Sequence, residues 1–180
     1  MIEFSYRGRL RVWIDETLPC CFEGENTLNG QLAPGDFEPS VSKIAVEWKL
    51  PHGGMSSYGL LGLHVLSSDA SEISLKYVSE AQSSPYLDAM VKPPSDEASI
   101  GLPKEFSEAV FSILAKKAVN LRGVRLVVDV AASGSVGSSA AHFENLATIL
   151  LKLLQVSPDV DRIEVERVLG EGIDEVLSIR

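Results

Sequence analysis

A chain of 180 residues with 45% apolar side chains can build one domain around an aliphatic core, and its 23% charged residues and periodic segments argue against disorder. The net charge of −9 removes the general phosphate attraction behind most nucleic-acid affinity and opposes an anionic membrane surface, so direct nucleic-acid binding is not favoured. The first residues hold no apolar targeting core and no apolar run approaches the ~18 residues that span a bilayer, so the expectation is a soluble, cytoplasmic chain with no membrane partner.

Residues 2–14 alternate: Ile2, Phe4, Tyr6, Leu10, Val12 and Ile14 share one parity, and Glu3, Ser5, Arg7, Arg9 and Arg11 the other. This is the period of a half-buried strand. Either one long strand bends at Gly8, or a hairpin with an odd-length loop turns there. Trp13 shares the arginine face, so Arg7, Arg9, Arg11 and Trp13 are either a solvated sheet face paired with acids or a candidate interface with a partner. Residues 15–40 carry Pro19, Pro34 and Pro39 with little periodicity and read as a long connection. Cys20 and Cys21 lie within it. Neighbouring cysteines seldom bridge each other, so they are expected to be reduced thiols.

Alternation returns over residues 41–50, with Ile44, Val46, Trp48 and Leu50 on one side. Residues 57–66 are apolar on both parities, as in a central strand. Ile73, Leu75 and Tyr77 mark another strand, and residues 80–100 form a second Pro/Ser-rich connection. A helix is predicted over 103–119, with Pro103 suited to its first turn and an apolar face of Phe106, Ala109, Val110, Ile113, Leu114 and Ala118. Val124 to Ala131 reads as a buried strand with Asp129 near its end, where a structural role is expected. Ala132 to Ser138 is a small-residue loop, followed by a second helix over 139–155 capped by Ser138 or Ser139. Pro158 stops it. Arg162 to Val168 reads as a strand, and the last ten residues carry no assignment.

Several of these features occur in an order that resembles domain IV of elongation factor G. Gly101-Leu102-Pro103-Lys104-Glu105-Phe106 opens the first helix, Val127-Val128-Asp129-Val130 follows as a strand, and Ser138-Ser139 starts the second helix through Phe143 and Ala147. Ser57-Tyr58-Gly59 is similar to that domain's entry into its first strand. The resemblance spans about residues 56–155. It implies an α+β fold: a mostly antiparallel four-stranded sheet, two helices packed on one face and a left-handed βαβ crossover. Residues 1–55 would then be an N-terminal β extension and residues 56–180 the core. It also implies a role near translation. The family's long tip loop, which enters the decoding site, has no counterpart in Ala131-Ala132-Ser133-Gly134-Ser135-Val136-Gly137, and no P-loop motif with its lysine is present.

The same loop is similar to the phosphate loop of the galactokinase, homoserine kinase and mevalonate kinase superfamily. Glycines let backbone amides approach an anion, and the following helix N-terminus offers unpaired N–H groups. Gly134, Gly137, Ser138 and Ser139 are therefore candidate anion ligands. The alternative is a tight strand-to-helix turn closed by a serine cap. His52, His64 and His142 are scattered without metal-ligand spacing, and each is expected in a core or surface role. No catalytic residue, metal site or cofactor is predicted. The expectation is a non-catalytic binding module whose partner is the ribosome or another protein. The alternative is a phosphate-binding protein or kinase relative working through residues 133–139.

Overall fold

The computed structural model describes residues 1–33, 35–52, 55–78, 84–118, 121–157 and 159–178, with only the backbone of residue 52. In chain order the elements are β1 (Ile2–Ser5), β2 (Arg9–Ile14), β3 (Asn26–Gln31), β4 (Lys43–His52), β5 (Met55–Ser67), β6 (Glu72–Tyr77) and β7 (Ala98–Ile100). Then come α1 (Lys104–Lys117), β8 (Val124–Gly134), α2 (Ala140–Leu153) and α3 (Arg162–Ser178).

All the strands join one sheet in the order β1-β2-β4-β5-β8-β6-β3, with β7 pairing β8. Neighbours are antiparallel except β6 and β8, which run parallel, with α1 carrying the chain between them. The β1–β2 pairing of Ser5 with Arg9 leaves a three-residue loop, so the odd-length hairpin is the alternative realised. Arg7 and Gly8 hold the positive φ values that this loop needs. Strand β5 pairs along both edges, as its apolar sequence on both faces requires.

The three helices pack on one face. Alternate sheet residues (Ile44, Val46, Trp48, Leu61, Leu63, Ile73, Leu75, Leu126 and Val128) meet Phe106, Val110 and Leu114 of α1, Phe143, Leu146 and Leu150 of α2, and Val165, Leu169 and Ile173 of α3. Each fully buried side chain of this size stabilises by about 1.5–3 kcal/mol. The opposite face carries a second core of Trp13, Ala45, Tyr58, Leu60, Val130 and Ala132. It is covered by Tyr86, Ala89, Met90 and Val91 from the chain before β7, with Leu18 and Cys20 beside them. Leu61 and Val128 face the helices while Leu60 and Val130 face away. The change of parity in β8 is made by a bulge: Gly62 pairs with Val130 and Leu63 with Val128, so Asp129 has no partner on β5.

The expected fold class is corrected. The sheet has eight strands, not four, and is mixed through the parallel β6–β8 pair, and three helices cover it, not two. β1 and β2 extend the sheet beyond β4, so residues 1–55 share its hydrogen bonds and its core. β3 was hidden because Asn26-Thr27-Leu28-Asn29-Gly30-Gln31 is an edge strand, mostly exposed, with only Leu28 to signal a buried face. The strand expected over 162–168 is the first half of α3. Its buried set of Val165, Leu169, Gly172, Ile173 and Val176 follows helical spacing that only the longer window reveals. No helix among the described residues is long and apolar enough to cross a membrane.

Candidate functional site

Small polar side chains gather around the joint between β8 and α2. A cavity of about 450 Å³ is lined there by Met55, Ser56 and Ser57 at the start of β5, Val91, Ser95 and Asp96, and residues 136–139. The four candidate anion ligands come together at this joint, and each already has an internal partner. The Gly134 amide donates to Ser138 Oγ at 2.8 Å, and that hydroxyl donates to the Tyr58 carbonyl at 2.7 Å. The Gly137 amide donates to Asp96 Oδ2 at 3.0 Å. Ser139 is the N-cap of α2, its side chain accepting from the His142 amide at 3.2 Å.

Asp96 is the centre of this arrangement. Its Oδ1 accepts from Ser135 Oγ and from the Val136 amide, both at 3.0 Å, and from the Glu97 amide at 2.8 Å. The side chain is 9% exposed. A turn whose successive amides converge makes a concave anion site, and here the anion it holds is a carboxylate of the same chain. The glycines follow from that contact. A Cβ on Gly134 would lie 2.3 Å from Asp96 Oδ2, and one on Gly137 would lie 2.3 Å from the Ser56 carbonyl oxygen.

Arg7, Arg9, Arg11 and Trp13 do not share one open face. Arg7 sits in the hairpin loop against Asp174 of α3 at 3.3 Å. Arg9 lies exposed opposite Lys49. Arg11 turns inward, donating to Glu3 at 2.9 Å, to Glu47 at 3.3 Å and to the Asp88 carbonyl at 2.8 Å. Trp13 is buried in the second core.

Two polar clusters were not foreseen. Glu47, in the middle of β4, is 0% exposed. It accepts from Tyr58 OH at 2.8 Å, from the Met90 amide at 2.9 Å and from Arg11. Burial pushes its carboxyl above the ordinary value against the pull of those donors, and it pushes the Tyr58 and Tyr86 phenols up in turn. The second cluster uses the bulge in β8. His64 Nδ1 lies 2.8 Å from Asp129 Oδ1, and Lys76 Nζ lies 3.7 Å from Asp129 Oδ2. A carboxylate only accepts, so Nδ1 carries the proton and Nε2 keeps the lone pair in the neutral ring.

That orientation is half of a general-base arrangement. The other half, an activated nucleophile, is not supplied by the cysteines. Both thiols are free. Burial pushes Cys20 up to about 12, and burial with Asp129 raises Cys21, so both stay protonated at neutral pH. His142 is buried, its Nε2 facing the Trp48 carbonyl at 3.1 Å, and the side chain of His52 lies outside the described residues. Among the described residues no three or more His, Cys, Asp or Glu side chains are grouped to hold a metal ion.

No family model, curated protein or solved structure matches the chain. Sequence comparison therefore assigns none of these residues a role, and each has only its geometry to speak for it. By that measure the β8–α2 joint is a built anion nest with an internal occupant, and the His64–Asp129 pair is an oriented, partly buried imidazole on the sheet.

Proposed function

We propose that this chain is a non-catalytic binding module of the cytoplasm that works near translation, with the ribosome or another protein as its partner. The observation that carries the choice is the Asp96 carboxylate in the 135–137 nest. The amides that a kinase relative would turn toward a phosphate are taken by the chain's own acid, so a phosphate would have to displace a nine-tenths buried group before binding. Support for the translation side comes from chain order. The motifs quoted for the resemblance to domain IV of elongation factor G fall in order in β5, at the start of α1, in β8 and at the start of α2.

Two measurements separate this reading from the phosphate-binding one. Sedimentation with ribosomes at moderate salt is expected to carry the protein into the ribosomal fractions. Its absence from every such fraction removes the main support for a role near translation and leaves another protein as the partner. A melting series with nucleotides and sugar phosphates is expected to leave Tm unchanged. A ligand that bound the loop would stabilise by about 2.7 kcal/mol at a hundredfold excess over Kd, and such a rise would favour the alternative.

A further inference from the structure

The cover of the second core, residues 84–97, is attached in an uncommon way. Among the described residues, no backbone-to-backbone hydrogen bond ties residues 87–96 to the sheet or the helices. Those formed within the segment are its own turns, Ala89 to Tyr86 and both Ser95 and Asp96 to Lys92. Its polar fastening to the body is made instead by charged side chains. Glu47 of β4 accepts from the Met90 amide, and Arg11 of β2 donates to the Asp88 carbonyl and lies 3.6 Å from the Asp88 carboxylate. At the far end Asp96 is held by the nest at 135–137. Backbone bonds resume at the two ends: Tyr86 to Ala98 and Ile100 to Ser84 at the first, and Ser135 to Glu97 at the second. Beneath the segment lie the apolar Ala89, Met90 and Val91, while Leu87 at its crest is 84% exposed.

We propose that residues 84–97 are a strap that opens as one unit over the second core, latched by Glu47 in its middle and by Asp96 at its far end. Segments with few backbone bonds to the body are where sub-global opening occurs, and this one is held by groups whose charge sets the strength of the hold. Every element packed on Glu47 contributes to its balance. Arg11 of β2 favours its charge and is shared with Glu3 of β1, Tyr58 of β5 donates to it, and Asp88 of the strap disfavours its charge. The Tyr86 phenol of the strap and the Cys20 thiol lie within electrostatic reach of it. Burial dominates, so Glu47 is more easily protonated with the strap closed than with it open to water. Closing therefore binds a proton. The strap is held more tightly at the acid end of the range and loosens as pH rises through the raised value.

Hydrogen exchange read by NMR tests this on the whole protein, because protection factors divide out the intrinsic dependence on pH. The Met90 amide is expected to lose protection as pH rises from 5 to 8, while amides of β5 and β8 hold theirs. Glu47→Gln is expected to abolish that slope without unfolding the chain. Asp96→Asn is expected to lower protection at Val136, Gly137 and Met90 together, which marks a single unit. A Met90 protection factor that tracks global unfolding at every pH overturns the proposal, and so does one whose slope survives Glu47→Gln. Loss at Val136 and Gly137 with Met90 untouched in Asp96→Asn also overturns it, since the two latches would then belong to separate events.

Discussion

A carboxylate with no solvent contact survives in a fold only if its oxygens are matched, and Glu47 has three donors for its two oxygens. Removing the acid strands Tyr58 OH and the Met90 amide at once and takes from Arg11 one of its three acceptors. Glu47→Ala is therefore expected to cost about 3–5 kcal/mol in urea unfolding at neutral pH, the range for breaking one side of a buried charged pair. Glu47→Gln keeps an acceptor for Tyr58 and Met90 and should escape that loss. The pH dependence has a definite sign. Burial raises the folded pKa of Glu47 above its unfolded value, so the contribution is complete below the unfolded value and is lost as pH rises through the folded one. Unfolding free energies of wild type and Glu47→Gln should converge in acid and separate in favour of the variant toward neutral pH. Parallel curves would mean that the donors fully offset the burial, and curves that separated in favour of wild type would mean that the donors outweigh it.

At the scale of elements, helices α1 and α2 were legible in the sequence because each carries its own apolar stripe and start signal within some fifteen residues. β4, β5 and β6 were legible because alternation or a two-sided apolar run needs only local information. What sequence could not supply was partnership. Nothing in residues 26–31 says that β6 waits beside them, and nothing at Asp96 says that it closes the loop 39 residues on. The loop itself reads locally either as an anion site or as a tight turn closed by a serine cap. That its anion is Asp96, and that Glu47 holds Met90, depends on long-range placement that no local window contains. The glycines make the same distinction testable. Gly137 has the Ser56 carbonyl in the place of a Cβ, whereas a Cβ on Gly170 in the middle of α3 would meet nothing within 4 Å. Gly137→Ala should destabilise by about 1–3 kcal/mol through overpacking. Gly170→Ala should stabilise by about 0.5–1 kcal/mol through helix propensity alone. Thermal melts of the two variants should move in opposite directions, and a destabilised Gly170→Ala would show that α3 lies closer to the β1–β2 hairpin than this geometry allows.

For the whole molecule, the order of strands decides what can be removed. The sheet places the first half of the chain on both flanks, β1, β2 and β4 on one side of β5 and β3 on the far side of β6. The last helix closes over the first hairpin, where Arg162 lies over the Phe4 ring at 5.3 Å and donates to the Glu3 carbonyl, and Tyr6 donates to Asp174. A chain starting at Met55 would leave β5 with one open edge and take Ile44, Val46 and Trp48 from beneath α2. It would also lose Glu47 and Arg11, the two groups that fasten the middle of the strap. Three fully buried large side chains alone are worth about 2–5 kcal/mol each when truncated, against a total stability of about 5–15 kcal/mol for an ordinary domain. Residues 55–180 alone are therefore expected to show collapsed amide dispersion by NMR and no cooperative melt. A sharp melt from that fragment would mean that the sheet holds two separable folding units. The intact chain should then unfold in two steps instead of the single coincident transition that one continuous core requires.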